Sequence, residues 1–96
     1  MHGGWVYMMA DRYRGVIYTG VTSHIAARIY AHREGRGSKF CAQYGLKRLV
    51  CAEHFERIDE AIAAEKAIKK WRRSWKVELI ERANPDWDDL YEMINW

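Results

Sequence analysis

The chain of 96 residues contains one proline, Pro85, and two cysteines, Cys41 and Cys51. Two cysteines without Cys-x-x-Cys spacing make no disulfide framework, so both are expected reduced and partly buried. Zinc ligation by Cys41, Cys51, His32 and His54 is disfavoured, because their spacings match no standard site. No apolar run approaches the ~20 residues that span a bilayer. No signal-peptide core follows Met1, and a cytoplasmic location without membrane association is expected. Repeats, low-complexity tracts and linkers are also missing, which predicts a single domain over residues 1–96. Apolar residues make up 49% and aromatics 14%, so intrinsic disorder is excluded on composition.

What the chain does have is uneven charge. The formal net charge is only +3, yet residues 1–48 carry +6 and residues 64–76 carry +5. Residues 49–63 carry −3 and residues 77–96 carry −5. Two basic blocks separated by an acidic strip form either a phosphate-facing surface or a set of solvated helix faces. The second block interleaves Lys66, Lys69, Lys70, Arg72, Arg73 and Lys76 with Trp71 and Trp75. Together with Arg36 and Lys39, its cations Lys69, Lys70, Arg72 and Arg73 are the candidate nucleic-acid contacts, and Trp75 is expected to be buried.

Hydropathy patterning gives the elements. Trp5–Met9 and Val16–Val21 read as strands joined by the polar turn Asp11–Gly15, hence a β-hairpin. Thr22 or Ser23 is placed to cap a helix from about His24 to Glu34, stopped by Gly35 and Gly37. Residues 36–46 read as a loop or short helical turn, and Arg48–Phe55 as a third strand. Asp59 is a plausible cap for a helix reaching Lys70; further helices are expected over Ser74–Arg82 and Trp87–Ile94. The expected class is α/β of the α+β type: a three-stranded, mainly antiparallel sheet flanked by helices, in the order ββαβααα.

Some residues break these patterns. Glu65 falls in the apolar stripe Ile58, Ala61, Ile62, Ile68, where a carboxylate loses hydration and needs a partner. That partner is either a nearby Lys or Arg, or a hard divalent cation. Arg28 and His32, four apart, share a helix face; they either meet solvent or present a phosphate fork and a proton carrier. Tyr7 and Tyr18 lie on adjacent strands and can share one face, as core or as site.

Taken in order, these residues resemble the GIY-YIG nuclease family, in particular its small stand-alone bacterial members. Val6-Tyr7 corresponds to the end of the first motif and Tyr18-Thr19-Gly20 to the second, with ten residues between the tyrosines. Gly20-Val21-Thr22-Ser23 with Arg28 and His32, the helix around Glu65, Lys70–Lys76 and Asn84–Trp87 complete the resemblance. Trp5 stands where the motif name has Gly, and Thr19 where it has Ile. The resemblance implies metal-dependent hydrolysis of DNA phosphodiesters, in a family that ranges over repair, homing and restriction enzymes. It implies Tyr7, Tyr18, Arg28, His32 and Glu65 as the catalytic set, with Glu65 holding Mg²⁺ or Mn²⁺. Tyr7 would be the general base, its pKa lowered by Arg28. A bare domain of this kind has little surface for sequence readout. Low selectivity, and a preference for branched, nicked or single-stranded DNA, are the corresponding expectations, with a monomer as the default state. Two other classes stay open: a nucleic-acid-binding module with a weak or vestigial site, and a partner-binding domain.

Overall fold

In a computed structural model, which describes residues 3–94, three strands form one antiparallel sheet. They are β1 (Gly4–Ala10), β2 (Ile17–Thr22) and β3 (Arg48–Phe55), in the order β2-β1-β3. Helices α1 (Ile25–Arg33), α2 (Lys39–Tyr44), α3 (Ile58–Lys69), α4 (Arg73–Ala83) and α5 (Tyr91–Ile94) complete the described residues. The α+β architecture follows the expectation, with one addition: residues 39–44, left between loop and helical turn by the sequence, form α2, so the order is ββααβααα.

Central β1 has helices against both its faces, which is why Trp5–Ala10 lacks the apolar–polar alternation of a half-solvated strand. Val6, Met8 and Ala10 point to one side, where they pack with Ala61 and Ile68 of α3, Ile80 of α4 and Trp87. Tyr7 and Met9 point to the other, with Ile25 and Ile29 of α1, Cys41 of α2 and Tyr91 of α5. Burying one such aliphatic side chain stabilises by about 1.5–3 kcal/mol.

The β1–β3 register slips between Met8, opposite Cys51, and Met9, opposite Leu49. Val50 is the extra residue of this bulge and points to the same side as Cys51. Its carbonyl accepts a hydrogen bond from Asn84 Nδ2 at 3.1 Å, and Asn84 also bonds the backbone of Asp88 through both side-chain atoms. Trp87, fully buried at φ 58°, occupies the left-handed region in the same turn. Asn84-Pro85 ends α4 as expected, but the chain re-enters a helix only at Tyr91, because residues 84–90 are spent on this turn. Replacing Asn84 by Ala leaves the Val50 carbonyl buried without its side-chain donor. We expect a loss of about 1–3 kcal/mol in urea unfolding with an unchanged denaturant slope.

The expected caps are corrected. Helix α1 starts at Ile25, with His24 at its N-cap position making no side-chain cap bond, because Thr22 Oγ1 instead accepts from the His24 N–H at 3.1 Å in a local turn. Helix α3 starts after Arg57, and Asp59 lies within its first turn, bonded to the Arg57 guanidinium and the Glu60 N–H. Trp75 is also corrected. It is 49% exposed, because Ile80 rather than Trp75 is the buried residue of α4. Both cysteines are free thiols, Cys41 buried and Cys51 half-buried.

Candidate active site

Tyr7 lies in the middle of β1 and is fully buried. Its neighbour across β2 is Gly20. A Cβ at Gly20 would stand 2.5 Å from the Tyr7 hydroxyl, so only glycine leaves room for the phenol. The Tyr7 hydroxyl lies 2.7 Å from His32 Nε2, in the last turn of α1. Arg28, one turn earlier, donates from Nε to the same hydroxyl at 3.4 Å. Arg28 can only donate, so the phenol oxygen accepts from it and the phenol proton is free to point at His32. The Tyr18 ring completes the group, 6.3 Å from the Tyr7 ring and 5.5 Å from His32.

The charges in this group differ from the expectation. Burial pushes the Tyr7 phenol well above its ordinary range, and the bond from Arg28 offsets only part of that rise. Burial thus favours the protonated phenol in the resting site. Burial and the Arg28 charge hold His32 down at about 4, so its imidazole is neutral. Its Nδ1 has no partner among the described residues, and a Cβ at Gly37 would lie 2.3 Å from that atom. Gly37 is thus a packing requirement of His32 rather than the stop of α1, which ends earlier, at Arg33, with Glu34 as its cap and Gly35 following at φ 80°.

This gives a pH signature. The folded pKa of His32 lies below the unfolded value of about 6.5, so the unfolded chain binds more protons between them. The stabilisation is present above about pH 6.5 and is lost as pH falls towards 4. The loss is on the order of 3 kcal/mol. Melting temperatures across that window should fall more steeply for the native chain than for His32→Gln.

Glu65 enters from the other side of the sheet. It is 8% exposed on α3, and its Oε2 lies 2.8 Å from Lys69 Nζ. Lys69 Nζ is in turn 5.9 Å from the Tyr18 ring. Tyr18 stands on the α1 side, so this contact crosses the exposed edge of β2. The fold therefore gathers Tyr7, Tyr18, Arg28 and His32 directly, and brings Glu65 to them through Lys69. Among the described residues, no three His, Cys, Asp or Glu side chains converge as a metal cage. What exists is one buried carboxylate whose cation partner, Lys69, is half-exposed. A hard cation that keeps most of its waters needs no more than this.

The candidate nucleic-acid contacts divide. Arg36, Lys39, Lys70 and Arg72 are exposed, and Arg72 lies over the Trp75 ring at 4.9 Å. Arg73 also lies at the surface, but its Nη2 donates to the carbonyls of Arg14 and Gly15 at 2.6 and 2.7 Å, tying α4 to the hairpin turn. Sequence reasoning missed Gly20, Gly37 and Phe40, whose ring stacks on Tyr18 at 6.1 Å. No helix of the described residues is long and apolar enough to cross a membrane.

Comparison with known proteins agrees with this fold. A family model described as the GIY-YIG catalytic domain matches residues 3–78. A UPF0213 protein of Clostridium perfringens is 37% identical over 79 residues, covering 82% of this chain and 85% of that one. One from Staphylococcus haemolyticus is 37% identical over 65 residues, covering 68% and 79%. The solution NMR structure of a UPF0213 protein from Bacillus halodurans superposes with a TM-score of 0.57 at 26% identity, over 98% of this chain and 99% of that one.

Proposed function

Since the chain belongs to the GIY-YIG family, a nuclease superfamily, we propose that it is a divalent-metal-dependent endonuclease, residues 1–96 working as one domain. It cleaves DNA phosphodiesters with low sequence selectivity. The observation that carries this reading is the hydroxyl of Tyr7, held 2.7 Å from a neutral imidazole and 3.4 Å from the Arg28 guanidinium.

The chemistry follows from the protonation states. Tyr7 keeps its proton at neutral pH, so it cannot accept one from water unless it gives its own away. His32 Nε2 receives that proton as Tyr7 takes one from the attacking water, leaving a neutral phenol and an imidazolium. Arg28 is near enough to steady the phenol oxygen and exposed enough to meet a phosphate oxygen with its remaining donors. Tyr18 packs on His32 and limits where the water can sit. Glu65 would hold Mg²⁺ or Mn²⁺, which would offset charge on the scissile phosphate and its leaving oxygen.

The test is incubation with supercoiled plasmid, single-stranded DNA and branched DNA, each with Mg²⁺, Mn²⁺ or EDTA. Cleavage with either metal and none with EDTA is expected. DNA binding without cleavage under any of these conditions would overturn the enzyme reading in favour of a vestigial binding module.

Binding should rest on Lys70 and Arg72, the candidate contacts of the second block that are exposed and, among the described residues, bonded to neither backbone nor a carboxylate, with support from Arg36, Lys39, Lys69 and Arg73. Affinity for duplex should fall with salt at a slope of about −0.9 per phosphate neutralised. Reversing the charge at Lys70 and Arg72 should make the slope shallower by about two and weaken all sequences alike. Affinity that is flat from low to physiological salt would show the block to be a solvated face.

A further inference from the structure

We propose that Phe40 and Tyr44, on α2, form a stacking platform that receives an unpaired nucleobase next to the scissile phosphate. Phe40 is 40% exposed and Tyr44 50% exposed, while the same helix buries only Cys41. At i and i+4 the two rings share one face, with centroids 4.9 Å apart. The Phe40 ring also lies 29° from parallel with the Tyr18 ring, at 6.1 Å. Tyr18 is a neighbour of His32 and of Lys69. A run of rings therefore leads from the proton-carrying pair outward: His32, Tyr18, Phe40, Tyr44.

Two adjoining rings on the outer face of a short helix, 40% and 50% exposed, make a contiguous apolar patch rimmed by cations, the kind of surface that marks an interaction site. Their surroundings fit a nucleic-acid strand. Lys39 on α2 and Arg36 before it are exposed, and Lys69 stands at the inner end of the run. Aromatic faces interleaved with cations are what a single strand requires: charge along the backbone and a π surface for each base. Inside a duplex both faces of a base are already covered by its neighbours, so a side-chain platform of this kind selects bases that are unpaired.

This inference rests on the nuclease reading, but its test does not need cleavage. In EDTA, the full chain is titrated into a short single-stranded DNA carrying 2-aminopurine, and separately into a blunt duplex. Stacking should quench the fluorescent base. Tyr44→Ala removes a half-exposed ring whose one aromatic partner among the described residues is Phe40, so the fold should hold, as melting will verify. It should weaken single-strand binding about tenfold, within the usual range for losing one stacked base, and leave duplex binding unchanged. Tyr44→Trp should restore both affinity and quenching. With Mg²⁺ added, Tyr44→Ala should raise KM on branched DNA with kcat largely kept.

Equal losses on single strand and duplex, or quenching that survives Tyr44→Ala, would overturn the platform. So would a concentration-dependent dimer that Tyr44→Ala dissociates, because the rings would then cover a second copy of the chain. An absence of cleavage on every substrate would overturn the nuclease reading alone, and the binding selectivity would still decide the platform.

Discussion

Tyr7→Phe should lower metal-dependent DNA cleavage by about 10²-fold or more, the range in which positioned proton transfer operates. The substitution keeps the ring, and with it its place in the apolar cluster that holds Met9, Ile29 and Leu49. It removes the only hydroxyl within hydrogen-bonding reach of His32 Nε2 among the described residues. That buried nitrogen then lacks a partner, so stability should fall as well, by about 1–3 kcal/mol. Cleavage assays run well below the melting temperature separate the two effects. The relay makes a second, sharper demand. If Tyr7 acts only by passing its proton to His32, then His32→Gln costs a similar factor, and the double variant is hardly worse than either single one. Losses that multiply would mean that the two residues work independently. A Tyr7→Phe enzyme with native activity would return Tyr7 to the core and end this mechanism.

The parts of this site that sequence made legible are those written in residue type and spacing. Apolar, β-branched and aromatic runs placed β1 and β2, and so set Tyr7 and Tyr18 on neighbouring strands. A separation of four put Arg28 and His32 on one face of α1, one turn apart. Less visible was what burial does to these groups. From sequence, Arg28 beside Tyr7 suggested a lowered phenol pKa; in the fold, desolvation outweighs the guanidinium and the phenol rises. No local pattern reports how much water a strand position has lost. The same limit explains Trp75, which lies on the helical spacing of a core residue yet faces solvent because Ile80 fills the inward position. The roles of Gly20 and Gly37 depend on side chains packed against them from 13 and 5 residues away in sequence, Tyr7 and His32, which no turn signal encodes.

Glu65→Gln should abolish metal-dependent cleavage while leaving DNA binding intact. The sequence left Glu65 between two partners, a cation on a neighbouring side chain and a divalent metal. The geometry supplies the first: Lys69 Nζ lies 2.8 Å away, four residues along the helix. That pair does not by itself account for the placement. An i,i+4 pair on a helix contributes only about 0.3–0.5 kcal/mol. A carboxylate sunk to 8% exposure among Ala61 and Ile68 gives up far more hydration than such a pair returns. Lys69, half-exposed, can turn to water when its partner is gone or otherwise engaged. Glutamine preserves the shape of the side chain and relieves the desolvated charge, so the melting temperature should hold or rise slightly. A structural ion pair predicts the reverse pattern: a destabilised Gln variant that still cleaves with Mg²⁺. Measuring both properties on this one variant decides between them, because a purely structural Glu65 and a metal-holding Glu65 move melting and cleavage in opposite combinations.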